Sequence, residues 1–186
     1  MKRSILLVTL LTAVLDNGFG ADPLRQGAVI DAEAPPWLGA PMDSHAAPRV
    51  YLREWKRAEN RERCAPLVLM GAEAEPGLKI RRANFLGGWA VAYDTPQVRS
   101  SFGIAGTGLD LDSPGQTFRF PHVIRWSDGS AANYGPEGGI GPNYLAYLSV
   151  VGQKCLYNLW SARGKAHLEQ LISTLRRIEA KDGSGP

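Results

Sequence analysis

The sequence predicts an α+β fold: a single, largely antiparallel twisted sheet with an N-terminal and a C-terminal helix packed on one face. Three stretches lead to this expectation. Residues 143–178 read as a β-hairpin followed by an amphipathic helix, because the apolar period changes from that of a strand to that of a helix. Residues 49–63 are rich in strong helix formers. Between them, short apolar runs alternate with turn dipeptides such as Gly-Gly and Asp-Gly, which is typical of antiparallel strands.

The C-terminal hairpin has the clearest register. Gly152 and Gln153 fit a two-residue connection of type II′, which has Gly at its first central position. This connection pairs Val150 with Cys155, Leu148 with Tyr157 and Ala146 with Leu159. One face of the hairpin is then almost wholly apolar, while the other mixes polar side chains with Tyr147 and Trp160.

The closing helix is expected to begin after Ser161, whose hydroxyl is a good N-cap. Its apolar positions follow at helical spacing: Leu168, Leu171, Ile172, Leu175 and Ile178. A sheet face and a helix stripe that are both apolar and adjacent in the chain should bury each other.

The N-terminal helix is expected over residues 49–63, with Tyr51 and Trp55 on its buried side. Arginines recur every four residues and would form a basic ridge on its exposed side: Arg49, Arg53, Arg57 and Arg61. Such a ridge could attract anionic envelope material, for example phosphate-bearing lipid. The alternative is a solvated face whose arginines pair with neighbouring glutamates, as most charge runs do.

The middle of the chain predicts further strands and turns. They cover residues 67–70, 79–86, 89–93, 101–108, 117–126 and 131–134. The glycine-rich stretch 101–108 lacks the Gly-x-Gly-x-x-Gly and Gly-Lys-Ser/Thr patterns of phosphate-binding loops, so we expect a bent strand there. Pro121 marks its strand as an edge or bulged strand. Residues 135–142 form a Gly/Pro loop that contains Glu137.

The N-terminus predicts export. Lys2 and Arg3 precede an apolar run, and Gly18 and Gly20 offer small residues for a signal peptidase. The expected organisation is a signal peptide (1–20), an extended or disordered lead-in (21–48), a single α+β domain (49–179) and a frayed tail (180–186). No later run is apolar enough to cross a membrane, so we expect a periplasmic or secreted protein without a transmembrane segment.

Cys64 and Cys155 are the two cysteines of the chain. An exported domain meets an oxidising compartment, so the sequence predicts that they form a disulfide. The alternative is a pair of buried free thiols. The net charge of +3 is too mild to indicate nucleic acid as a partner.

Few residues indicate catalysis. The three histidines, His45, His122 and His167, share no metal-ligand spacing, and no nucleophile motif is present, so neither metal, cofactor nor catalytic residues are expected. His122 lies among aromatic residues, where its pKa would shift. A small hydrolase that joins His122 to Ser100 or Ser101 and to Asp94 remains an alternative.

Aromatic residues on predicted strands are the better candidates for binding. With His122 and Glu137 they make up the candidate binding residues: Trp89, Tyr93, His122, Trp126, Tyr134, Glu137, Tyr147 and Trp160. The mixed face of the C-terminal hairpin, with Tyr147, Asn158 and Trp160, is the first place to search.

The function expected from these residues is a non-catalytic binding or interaction module of a bacterial envelope. Its partner would be an envelope protein or an anionic or sugar-bearing envelope component. Besides the hydrolase, the remaining alternative is a proteinaceous inhibitor or immunity protein that presents the loop 135–142.

Overall fold

The computed structural model describes residues 27–72, 75–110, 120–138, 141 and 143–179. The predicted signal peptide and the predicted C-terminal tail lie outside these residues. The described part of the chain contains eleven strands and two α-helices. The strands are β1 (Val29–Ala32), β2 (Met42–Asp43), β3 (Leu67–Leu69), β4 (Lys79–Arg82), β5 (Trp89–Asp94), β6 (Phe102–Asp110), β7 (His122–Trp126), β8 (Ala131–Pro136), β9 (Tyr144–Ser149), β10 (Cys155–Ser161) and β11 (Leu175–Glu179). The helices are α1 (Arg49–Arg57) and α2 (Lys165–Ser173).

The strands form two mixed sheets. The larger runs β1-β7-β8-β9-β10-β6-β5-β4, and the smaller runs β2-β11-β3. Strand β1 pairs in parallel with β7, and β2 pairs in parallel with β11. The predicted fold class is therefore wrong: the fold is mostly β, with two short helices, and is not one antiparallel sheet with flanking helices. Parallel pairs join segments far apart in the chain, which local patterns do not reveal.

The closing helix is shorter than predicted. Helix α2 ends at Ser173, and residues 175–179 form the central strand of the smaller sheet, between β2 and β3. Leu175 and Ile178 are buried there. Leu175 and Ile178 are three residues apart, which is the spacing of one face of a helix. A strand that is paired on both edges and covered by the core can also bury residues at this spacing. Gly164, with a φ of 86°, precedes α2, so Ser161 is not its N-cap.

The N-terminal helix also ends early, at Arg57. Arg61 lies beyond α1 in a turn, so the predicted basic ridge does not continue along one helix. Arg53 forms an ion pair with Glu54 at 3.0 Å, as the solvated-face alternative expects. The buried side of α1 packs near β5, where the hydroxyls of Tyr51 and Tyr93 lie 2.8 Å apart.

The register of the C-terminal hairpin is confirmed. Leu148 pairs with Tyr157 and Ala146 pairs with Leu159. The turn differs from the prediction, because the Gln153 amide donates to the Val150 carbonyl at 3.0 Å. Gly152 is then the second central residue, and its φ of 81° is what a type II turn requires.

Two further hairpins form where they were predicted, but the first turns one residue earlier than the predicted Gly87-Gly88 connection, because the Gly88 amide donates to the Phe85 carbonyl at 3.2 Å. Strands β4 and β5 are antiparallel, as are β7 and β8. The second pair turns at Gly129, whose φ is 92°. Strand β6 lies in the middle of the larger sheet, between β5 and β10.

Part of the expected lead-in belongs to the folded domain. Its residues are extended over β1, which pairs with the edge of the larger sheet. Trp37 is 2% exposed and its ring centroid lies 4.8 Å from that of Trp126. Burial of the Trp37 ring thus holds this segment on the domain together with the pairing of β1 and β2.

The larger sheet has two different faces. We call one the core face: it holds large apolar side chains such as Ile104, Leu148 and Leu159, and both helices and β3 pack on its side. We call the opposite one the outer face. At its centre it has small residues, namely Ala90, Ala92, Gly103 and Ala105.

The predicted disulfide between Cys64 and Cys155 is confirmed. Their Cα atoms lie 5.4 Å apart, and the bond ties the segment after α1 to the start of β10. Across the described residues, no helix is long and apolar enough to span a membrane.

Candidate functional site

Aromatic and apolar side chains form a continuous row on the outer face, which we call the aromatic strip: Phe85, Trp160, Leu145, Tyr147 and Phe120. The Phe85 and Trp160 rings stack with centroids 6.1 Å apart, and the Phe120 and Tyr147 rings stack at 5.8 Å. Leu145 lies directly across from Trp160, two residues before Tyr147, and links the two stacked pairs. All five side chains are partly accessible to solvent.

The small residues of β6 create the space for the Trp160 ring. Gly103 pairs with Trp160 across the strands, and the indole lies over the site where a side chain at Gly103 would be. The indole Nε1–H donates to the Ser100 carbonyl at 3.2 Å. These two contacts hold the ring against the sheet, which leaves one of its surfaces for Phe85 and solvent.

Polar side chains lie beside the strip in one cross-strand row. Asn133 is opposite Tyr147, and Tyr147 is opposite Asn158. Burial raises the pKa of the Tyr147 phenol, and the nearby charge of Glu137 raises it further, although a hydrogen bond with Asn158 opposes both effects. The phenol is therefore neutral at physiological pH, and the Asn158 amide orients it.

The eight sequence-predicted binding residues fall into two groups. Five lie on the core face and are buried: Trp89, Tyr93, His122, Trp126 and Tyr134. The other three, Glu137, Tyr147 and Trp160, lie in or beside the aromatic strip. Phe85 and Phe120 complete the strip and were missed, because only the tertiary structure brings them to these strands.

The β4–β5 connection extends the strip at one end. Leu86 is 98% exposed, the largest exposure of any large apolar side chain in the described residues. The loop expected to protrude in an inhibitor is described only at residues 135–138 and 141. The apolar tip that the structure does show is therefore beside Phe85.

A polar cluster joins helix α2 to strand β8. The Tyr134 hydroxyl donates to Glu169 Oε1 at 2.5 Å, and Lys165 Nζ donates to the same oxygen at 2.8 Å. Burial disfavours the Glu169 carboxylate, but these two hydrogen bonds, together with the charge of Lys165, hold its pKa below the usual range. Burial raises the pKa of Tyr134 well above its usual range. The cluster therefore fixes α2 on the sheet through one shared carboxylate oxygen.

His122 borders this cluster. It is 6% exposed, its ring centroid lies 5.1 Å from that of Tyr134, and its Nδ1 has no hydrogen-bond partner among the described residues. Burial lowers the pKa of His122, and the charge of Lys165 lowers it further. The imidazole is therefore held neutral, packed against the phenol ring.

The structure places Ser100 and Asp94 together but apart from His122. The Ser100 amide donates to Asp94 Oδ1 at 2.7 Å, and Arg81 contacts both residues. Three strands, β8, β9 and β10, separate β6 from the strand that carries His122. At about 4.8 Å per strand, the imidazole is on the order of 19 Å from Ser100.

A serine–histidine pair does occur at a place that sequence reasoning missed. Ser161 Oγ lies 2.8 Å from His167 Nδ1, but Ser161 is 1% exposed. Its Oγ also accepts the Arg163 amide at 3.0 Å. The hydroxyl is thus enclosed, and the arrangement shapes the entry into α2 without presenting a nucleophile. The sequence analysis missed this pair because it expected the Ser161 hydroxyl to cap the closing helix.

Next to this pair is a cavity of about 350 Å³, which His167 lines together with Glu75 and Arg163. Arg163 donates to both carboxylate oxygens of Glu75, at 2.5 and 2.8 Å. The charges in this cavity therefore neutralise each other. No group of three or more His, Cys, Asp or Glu side chains in the described part of the chain is arranged to hold a metal ion.

The buried His122 predicts a pH dependence of stability. The unfolded chain takes up a proton near the ordinary histidine pKa of 6.5, whereas the folded chain resists it. The free energy of unfolding should therefore fall as pH drops below that value towards the lower pKa of folded His122. His122→Gln should make this part of a plot of urea midpoint against pH less steep, and the slope that remains includes His167, whose pKa is also lowered by burial.

The matched control is His45→Gln, since His45 is exposed. Its profile should follow the parent protein. The assignment fails if His122→Gln and the parent protein lose stability in parallel between about pH 7 and pH 5.

Comparison with protein-family models, with curated proteins and with solved structures finds no match to this chain.

Proposed function

We propose that this protein is a non-catalytic binding module of the bacterial envelope and that its aromatic strip binds a neutral, sugar-bearing component. The observation that supports the proposal is the strip itself: two stacked aromatic pairs joined by Leu145, partly open to solvent and free of charged members. Monomeric proteins rarely leave adjoining large apolar side chains at the surface unless something binds to them.

The chemistry of the strip suits a sugar. Aromatic rings offer flat apolar surfaces to the C–H faces of a pyranose, while a Tyr hydroxyl or a Trp N–H supplies a polar edge. Asn133, next to Tyr147, provides an amide that donates and accepts hydrogen bonds. An N-acetylated sugar presents the complementary pair, an acetamido N–H and C=O. We therefore expect N-acetylhexosamine chains to bind better than unsubstituted glucose chains.

The cellular location rests on two further points. The Cys64–Cys155 disulfide fits an oxidising compartment. The predicted signal peptide would deliver the chain there. A periplasmic or secreted location would place the strip in contact with the amino-sugar polymers of the cell wall.

The test is titration with chitotriose, a soluble N-acetylglucosamine trimer, followed by calorimetry. We expect a Kd of roughly 0.1 to 1 mM, since an open surface gives a neutral sugar only a few contacts. Trp160→Ala should weaken binding about tenfold or more, because one aromatic contact contributes on the order of 1.4 kcal/mol.

Two variants keep this test decisive. Phe85→Ala removes a strip residue from a surface connection and should also weaken binding, without the structural role that Trp160 has. Val151→Ala truncates an apolar side chain that is 54% exposed in the turn of the same hairpin, away from the strip, and should leave the affinity unchanged. Absence of binding, or equal affinity in all three variants and the parent protein, contradicts the proposal.

A further inference from the structure

A second cavity, of about 440 Å³, lies beside the disulfide and differs chemically from the aromatic strip. We call it the basic cavity. Its cationic lining residues are Arg61, Arg63, Lys154 and Arg177, with Trp55 along one wall. Two carboxylates, Glu62 and Glu179, also line it, so cations outnumber anions there by four to two.

The disulfide assembles this cavity from distant parts of the chain. Arg63 and Lys154 immediately precede the two bonded cysteines, and the Lys154 amide donates to the Arg63 carbonyl at 2.9 Å. Gln153 reinforces the junction by accepting the Ala65 amide at 2.6 Å. Strand β11 then brings Arg177 alongside. Three cations more than twenty residues apart in sequence thus converge on one concave surface.

Two features of the charged lining residues bear on what the cavity could bind. Glu62 forms an ion pair with Arg61 at 2.9 Å. The Arg177 Nε is buried and has no hydrogen-bond partner among the described residues. A buried donor without an acceptor costs free energy, because it has lost contact with water without gaining a hydrogen bond. Because Arg177 lines the cavity, an anion that enters it would be attracted by the positive charge of the guanidinium group.

We propose that the basic cavity binds a phosphate or sulfate oxyanion. Guanidinium groups bind tetrahedral oxyanions through parallel N–H···O hydrogen bonds, and Lys154 adds a compact positive charge. The cavity volume exceeds that of one oxyanion, so the group can be free or attached to a larger molecule. The site uses no residue of the aromatic strip and therefore stands independently of the sugar-binding proposal.

The test uses inorganic phosphate with the oxidised, ¹⁵N-labelled protein and follows the indole N–H signal of Trp55, whose Nε1–H donates to the Cys64 carbonyl at 2.9 Å. Sodium chloride at matched ionic strength is the reference, since it screens charge without offering a tetrahedral oxyanion. We expect saturable phosphate binding that Arg177→Gln weakens roughly tenfold to hundredfold, the usual effect of losing a charged hydrogen bond. Arg177→Lys should give an intermediate affinity.

Lys154→Gln keeps the test valid if the Arg177 variants misfold, because Lys154 is exposed and its replacement leaves the core intact. It should weaken phosphate binding too, whereas Arg125→Gln, which removes an exposed cation of β7, should not. A second arm measures binding of the protein to phosphatidylcholine vesicles with and without phosphatidic acid. Comparison of the two arms distinguishes a lipid phosphate headgroup from free phosphate as the ligand. Binding in either arm that depends on Lys154 and Arg177 supports the site. Binding in neither arm, or binding that both variants leave unchanged, overturns it.

Discussion

Removal of the Cys64–Cys155 disulfide by the double substitution C64A/C155A is expected to lower the free energy of unfolding by about 4 kcal/mol. The bond closes a loop with a sequence separation of 91, so it restricts the unfolded chain strongly. Both cysteines are also buried, at 1% and 2% exposure, so alanine leaves space that the core must fill. Urea denaturation monitored by tryptophan fluorescence measures the change.

Reduction of the parent protein is the control for this substitution. Denaturation in excess reductant should give a midpoint close to that of the C64A/C155A variant, because both lack the covalent link. A loss of less than about 1 kcal/mol in the variant would mean that the rest of the core holds the segment after α1 against β10 by itself.

The substitution Gly103→Ala is expected to lower the free energy of unfolding by about 2 kcal/mol and to weaken chitotriose binding as well. A Cβ atom at this position would lie 2.5 Å from the Val91 carbonyl oxygen and closer still to the Trp160 indole. The indole must therefore leave its place on the outer face, and strain remains at the Val91 oxygen, because it belongs to the backbone of the neighbouring strand and cannot move cheaply.

Gly138→Ala is the matched control, since no atom lies within 4 Å of a Cβ built at Gly138. Its stability should stay within about 0.5 kcal/mol of the parent protein. Equal stability of the Gly103 and Gly138 variants would show that the Trp160 ring does not rest on β6 as described.

Local patterns predicted the antiparallel part of this fold. The hairpin of β9 and β10 joins neighbouring segments of the chain. A shift of its register by one residue would expose Leu148 and Leu159, so the apolar pattern is compatible with one register. Likewise, Gly129 marked the turn between β7 and β8. The disulfide followed from there being two cysteines in a chain with a predicted export signal.

The remainder of the fold depends on contacts between distant segments. Nothing in residues 29–32 indicates that they pair with β7, and the apolar spacing of Leu175 and Ile178 suits a helix as well as a covered central strand. The fold-class prediction was wrong because it extended α2 through residues 175–179 and expected one largely antiparallel sheet where two mixed sheets form. Propensity is a weak guide wherever tertiary pairing decides the conformation.

The candidate site shows the same division. Tyr147, Asn158 and Trp160 were predicted to share a face, because the hairpin register places them there. Phe85 and Phe120 come from other strands and connections, and their stacking on Trp160 and Tyr147 could not be read from sequence. The basic cavity was missed for a related reason: its cations are scattered in the chain, and the predicted ridge along α1 included only one of them, Arg61.

The most direct test of the central claim, that the aromatic strip is the binding surface, uses the indole N–H signals of the five tryptophans in a ¹⁵N-labelled protein. Trp160 is the one tryptophan of the strip, and Trp55 lines the basic cavity. Titration with chitotriose should shift the Trp160 signal in a saturable manner and leave that of Trp55 in place, while phosphate should do the reverse. A Trp160 signal that does not move while another tryptophan responds to chitotriose would contradict the claim.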